Sequence, residues 1–164
     1  MKAYPLEAIR ALRMRKEDET QRKLAAARVN ETRLEKEVKQ AEKALEDYLV
    51  WMKNEADRLF KTVLGTLNPI HKITDITQQV SWNRSQQSTY VVGVEEARKK
   101  LEAAKEETAN CLHAQEEAYK EVWKIDQHRD FWMKEETLRE EQAEEADLEE
   151  IAATMFAMRE QEEW

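Results

Sequence analysis

Gly65-Thr66-Leu67-Asn68-Pro69 is the one strong break in a chain of 164 residues that holds only two glycines and two prolines. Gly65 suits the left-handed residue that ends a helix. Asn68 is a favoured N-cap, and Pro69 then stands at the first helical position, where its missing N–H costs nothing. The segment between the two helices is short enough for a tight helical hairpin. Outward from it, in both directions, run charge-rich segments with an apolar residue every three or four positions. These features predict an all-α fold: a long antiparallel two-helix coiled-coil hairpin whose second helix is longer than the first. The predicted organisation is a single domain over 1–164, with helix one over about 6–64, the turn at 65–69 and helix two over about 70–163.

In the first helix the clearest register is Val38, Ala41, Leu45, Tyr48, Met52, Ala56, Leu59 and Val63. It extends backward through Leu34, Glu31, Ala27 and Leu24. Between Arg13 and Lys23 apolar seam residues are nearly absent, which predicts a solvated or partner-facing stretch. In the second helix Ile70, Ile73, Thr77 and Val80 open the seam. It resumes with Leu101, Ala104, Thr108, Cys111, Gln115, Ala118, Val122, Ile125, Arg129 and Trp132. Residues 81–93 are poor helix formers, so a kink, fraying or a short unwound stretch is expected there. An alternative places the hairpin turn in that stretch, although it lacks the cap chemistry of 65–69. With the turn near 67, residue 6 falls beside about residue 130, and Leu6 and Ile9 meet Phe131 and Trp132 as an apolar plug. Helix one would then extend roughly 90 Å.

Composition narrows the function classes. Charged residues are 38% of the chain and the net charge is −8, which argues against nucleic acid as a ligand because phosphate neutralisation needs a basic surface. No apolar run approaches the length of a spanning helix, so direct membrane insertion is not expected, and any membrane association is expected to run through a partner. No secretory signal is visible. Cys111 is the only cysteine, which rules out an intrachain disulfide and fits a reducing cytoplasm. Its expected role is that of a small seam residue. His71, His113 and His128 lack metal-ligand spacing, and no phosphate-binding loop, dinucleotide fingerprint or nucleophile elbow is present. Exposed helical carboxylates have no cleft to tune them for acid–base work. The reading is a non-enzyme without a cofactor or metal.

Two segments stand out as partner surfaces. Arg10, Arg13, Arg15 and Lys16 form a basic cluster near the start, read either as a solvated face or as a docking patch for an acidic protein. Beyond about residue 134 the second helix has nothing left to pair with, and the overhang 134–164 carries three basic residues against twelve acids. Within it Leu148, Ile151, Ala152, Met155 and Phe156 recur at helical spacing on one face. Met155 and Met158 give it the flexibility of a surface that accepts more than one partner. Trp51, Trp82, Trp123, Trp132 and Trp164 are expected to broaden the seam or its flanks, with Trp82 and Trp164 the better candidates for contacts.

The run from Tyr4-Pro5-Leu6 through Lys16-Glu17-Asp18-Glu19, an aromatic-Pro-Leu start leading into a basic helix, resembles the opening of the YscO family of type III secretion proteins. The C-terminal Phe131-Trp132-Met133-Lys134 and the acidic sequence through Glu150 resemble that family's tail. The resemblance, over essentially the whole chain, implies a helical stalk similar to the flagellar protein FliJ. It implies a central-stalk or adaptor role in the cytoplasm, peripherally associated with a membrane-embedded export apparatus. The implied partners are an export ATPase hexamer, an export gate protein and chaperones of translocator substrates, with the isolated chain a monomer. No contact residue is carried over from FliJ. The same residues would also serve a generic coiled-coil scaffold or a chaperone-binding escort without ATPase coupling.

Overall fold

The computed structural model describes residues 3–162. It contains two helices, α1 over Glu7–Lys61 and α2 over Ile70–Glu162, packed against each other as a hairpin with the second longer. Among the described residues there is no strand. The chain divides into two compact units: Lys23–Leu112, which includes the turn, and Met1–Arg22 with His113–Trp164.

In the turn unit, α1 ends by tightening. Thr62 N–H donates to the Leu59 carbonyl and Val63 N–H to that of Phe60, in the i→i−3 pattern of a closing helix. Gly65 then takes φ of 79°, a conformation that costs a residue with a Cβ and costs glycine little. The Asn68 side chain does not follow the expected capping role. Its amide donates to the Val63 and Thr66 carbonyls, both at 3.1 Å, and to the Thr66 hydroxyl at 2.8 Å. It ties the loop back to the end of α1, while the Pro69 carbonyl receives the Lys72 N–H at 3.0 Å and opens α2.

The α1 side of this unit's seam follows the sequence periodicity. Leu24, Leu34 and Val38 are buried, and Ala27, Glu31, Ala41, Leu45, Tyr48, Met52, Ala56, Leu59 and Val63 are half-buried. The facing positions on α2 differ at their beginning. Ile76 is buried, whereas Ile70, Ile73 and Thr77 are exposed. The first turns of α2 leave the hairpin bend before they meet α1, so the phase is set where contact begins and not at the first isoleucine. From Ile76 the seam runs through Val80 and Asn83 to Val94, Leu101, Ala104, Thr108 and Cys111.

Residues 81–93 are α-helical throughout, with no unwound stretch. Packing supplies what propensity lacks. The Tyr48 ring stacks on Tyr90 with centroids 4.4 Å apart, and its hydroxyl donates to the Asn83 carbonyl at 2.7 Å. Asn83 is itself buried, and its side-chain carbonyl accepts from Gln79. Ser85 and Ser88 turn their hydroxyls back onto carbonyls three residues earlier, which satisfies them within the helix. Arg98 reaches across to Glu42 at 2.7 Å.

The two glycines test this account with opposite signs. Gly65→Ala forces a Cβ into a left-handed backbone and is expected to destabilise the chain by about 1 kcal/mol. Gly93 lies inside α2 with open space where a Cβ would stand, so Gly93→Ala is expected to stabilise by about 1 kcal/mol through helix propensity. Urea unfolding followed by circular dichroism measures both.

Candidate partner-binding surfaces

The unit built from Met1–Arg22 and His113–Trp164 holds both groups of candidate residues. Its seam is polar where the sequence suggested a gap. Tyr4, just before α1, is buried and Leu6 half-buried; on α1 Thr20 is buried and Arg10, Arg13 and Glu17 are half-buried on the face turned to α2. Opposite them Ala118, Val122 and Ile125 are buried. The stretch after Arg13 is therefore continuous with the seam through Glu17 and Thr20. Thr20 fits because its hydroxyl donates to the Glu17 carbonyl, leaving its methyl to pack.

This arrangement divides the basic cluster. Arg10 Nε donates to Asp126 at 2.6 Å, and a second arm of its fork meets Glu7 at 3.2 Å. The hydrogen bond it donates to Asp126, more than that to Glu7, holds the Arg10 guanidinium pKa above its ordinary value. Arg13 donates to the Glu121 carbonyl at 3.0 Å and pairs with the Glu121 carboxylate at 3.2 Å. Lys124, first, and then Arg13 and Lys16 keep the Glu121 carboxyl below the usual carboxylate range. Arg10 and Arg13 thus serve as cross-helix clamps, and only Arg15 and Lys16 are left exposed. Leu12, Arg13, Lys16 and Thr20 face Ala114, Glu117, Ala118 and Glu121 across an open groove of about 400 Å³, cationic on one wall and anionic on the other.

At the chain-terminal end of this unit the closing contact is aromatic. The Tyr4 hydroxyl lies 2.7 Å from His128 Nδ1, and the Tyr4 ring packs on Trp132 at 5.5 Å. Leu6 is half-buried here, but Ile9 and Phe131 are exposed. The plug is therefore Tyr4–His128–Trp132 in place of the expected Leu6 and Ile9 against Phe131 and Trp132. Arg129 approaches Glu7 at 3.7 Å, and its buried Nε makes an ion pair without a hydrogen bond. Glu136, buried beside Arg139, continues the packed face past residue 134.

From Glu141 to Arg159 every residue is exposed. Leu148, Ile151, Met155 and Phe156 are 55% to 68% exposed, on consecutive turns of α2. Glu144, Glu145, Asp147, Glu149 and Glu150 flank Leu148 and precede Ile151, the stretch 140–150 contains no Lys or Arg, and 151–159 contains no acid. A shallow groove runs between Asp147, Glu150, Ile151, Thr154 and Met155. The structure thus brings the apolar candidates together on one open face.

Cys111 is half-exposed, its thiol pKa raised by burial and then by neighbouring Glu107. That is the reverse of an activated nucleophile. Among the described residues no group of three His, Cys, Asp or Glu side chains could hold a metal ion, and no helix is long and apolar enough to cross a membrane. Trp51, Trp82 and Trp123 are all exposed on the flanks, and Trp164 lies outside the described residues.

The described surfaces are those of a helical hairpin with a polar, clamped seam and an exposed acidic–apolar end. The profile of the family described as Type III secretion protein YscO matches residues 4–154. The chain belongs to that family, and so to a type III secretion apparatus. No curated protein and no solved structure matches it.

The clamp assignment separates stability from docking. Arg10→Glu is expected to lower the thermal midpoint by about 2–4 °C, and adding Asp126→Arg is expected to restore most of it. If Arg10 were only a docking residue, the single reversal would leave the midpoint unchanged.

Proposed function

We propose that this chain is a non-enzymatic central-stalk or adaptor protein of a type III export apparatus. In this reading it engages the export ATPase ring and couples it to the export gate and to substrate chaperones. It works in the cytoplasm, peripherally to the membrane-embedded machinery, and is a monomer when isolated. The observation that supports the reading most is the undisguised end of α2. An apolar stripe of Leu148, Ile151, Met155 and Phe156 stands open, directly after the acidic run 140–150.

Such a face is matched by the helix-in-groove mode of recognition, in which apolar anchors on successive turns enter a groove. The acids require that groove to be rimmed by Lys and Arg, and they oppose like-with-like pairing of two such tails. Family membership supplies the setting. Arg15 and Lys16, exposed on α1, offer a second charged contact of opposite sign. The hairpin needs no chemistry of its own for this role, because an asymmetric element within a symmetric ring biases which subunits act. The exposed stripe also favours a second reading, an escort that holds a chaperone through the tail with no influence on ATP hydrolysis.

The two readings separate in one titration. Added to the cognate export ATPase, the chain is expected to stimulate ATP hydrolysis saturably near one chain per hexamer. Ile151→Asp with Phe156→Asp is expected to reduce binding of the tail's partner by more than tenfold, since about 1–3 kcal/mol attaches to each buried anchor. No stimulation of an ATPase shown to be assembled, together with a tail-dependent chaperone complex, would establish the escort reading instead.

A further inference from the structure

The turn itself carries an unexpected surface. Leu67 is 107% exposed, Ile70 83% and Leu64 71%, so three aliphatic side chains stand at the apex of the hairpin without a neighbour to cover them. A connector whose only task is to reverse the chain would be polar there. Charge is arranged around them in an equally particular way. From Arg58 to Thr74 the sequence contains no Asp or Glu, within a chain whose net charge is −8. Lys61, the last residue of α1, and Lys72, in the first turn of α2, flank the apolar apex from behind.

We propose that this apex docks on an anionic phospholipid surface. The order of the groups along the hairpin carries the argument. The aliphatic residues lead, and Lys61 and Lys72 follow them by three and two residues, or roughly 3–5 Å along the backbone. Apolar groups that enter to the acyl boundary by about 5–10 Å leave the lysines at the level of the lipid phosphates. A protein groove would instead select a stripe on one helical face, as on the distal end of α2, because a groove reads successive turns. The apex is convex and its apolar groups come from a turn and the helix end beside it, so a deformable surface fits it better. Charge supports the same occupant: the lysines are drawn to anionic lipids, whereas the acidic end of α2 is repelled by them. No spanning helix is involved. Three aliphatic groups and two lysines give weak, reversible attachment, and direct attachment of this kind departs from the expectation that membrane association runs only through a partner.

The full-length chain is mixed with vesicles of phosphatidylcholine alone and of phosphatidylcholine containing phosphatidylglycerol, and floated on a density gradient. It is expected to rise with the phosphatidylglycerol vesicles, to rise much less with phosphatidylcholine alone, and to be released by salt. Leu64→Ser/Leu67→Ser/Ile70→Ser is expected to abolish flotation. Lys61→Glu/Lys72→Glu is expected to weaken it by at least about thirtyfold, since each lysine near such a surface contributes about fivefold. All five side chains are outside the packed seam, and circular dichroism checks that both variants stay helical. Failure of the wild-type chain to bind phosphatidylglycerol vesicles overturns the proposal. So does flotation that survives both variants. Capture of an acidic protein through the apex by a chain that binds no vesicle would assign the apex to that protein instead.

Discussion

Everything in this fold depends on a single seam between two helices. Each helix has only one neighbour, so each can bury only one stripe. Among the described residues no large side chain is completely buried. In a globular domain, misplacing one stripe is compensated by contacts from other directions. Here the register of α1 against α2 has no such support and must be written into the seam itself. Apolar residues of similar size do this poorly, because a shift by one heptad buries much the same area. The polar contacts supply the distinction. Arg10 on Asp126, Arg13 on Glu121, Glu42 on Arg98 and the Tyr48 hydroxyl on the Asn83 carbonyl each fit one alignment of their own unit.

The exposed surfaces follow from the same constraint. Once the turn is fixed at Gly65, the length of α1 determines how much of α2 can be covered, and the remainder must carry its own solubility. The seven acids between Glu140 and Glu150 do that while leaving Leu148 and Ile151 accessible. At the turn the opposite choice is made, with aliphatic side chains at the apex and lysines beside them. The two exposed apolar regions are therefore dressed in opposite charge. Surfaces dressed in this way select different environments even where their apolar content is alike.

Much of this was legible from residue spacing. The α1 register from Leu24 to Val63 repeats every three or four residues over eleven turns, and no other secondary structure can bury that pattern. The α2 register from Leu101 to Trp132 was readable for the same reason. The exposed stripe from Leu148 to Phe156 was readable because its helical spacing continues after α1 has run out. What escaped the sequence depended on groups far apart in the chain. Arg10, Arg13, Glu17 and Thr20 look like solvated positions until Asp126 and Glu121 are placed opposite them. Residues 81–93 look like a break until Tyr48 closes over them. Ile70 and Ile73 look like seam residues because periodicity does not reveal where a helix leaving a turn first meets its partner. Exposure at Leu67 was invisible, since a turn residue has no periodic face to be read against.

The central claim is that one chain folds back on itself, in the register set by the polar clamps. Spin labels at residues 14 and 127, introduced as cysteines in a Cys111→Ser background, report it directly through dipolar coupling between the two helices. The account predicts a single short distance that is unchanged when labelled chain is diluted with excess unlabelled chain. Loss of that coupling on dilution would mean that the helices pair between chains, and the intramolecular hairpin would have to be abandoned.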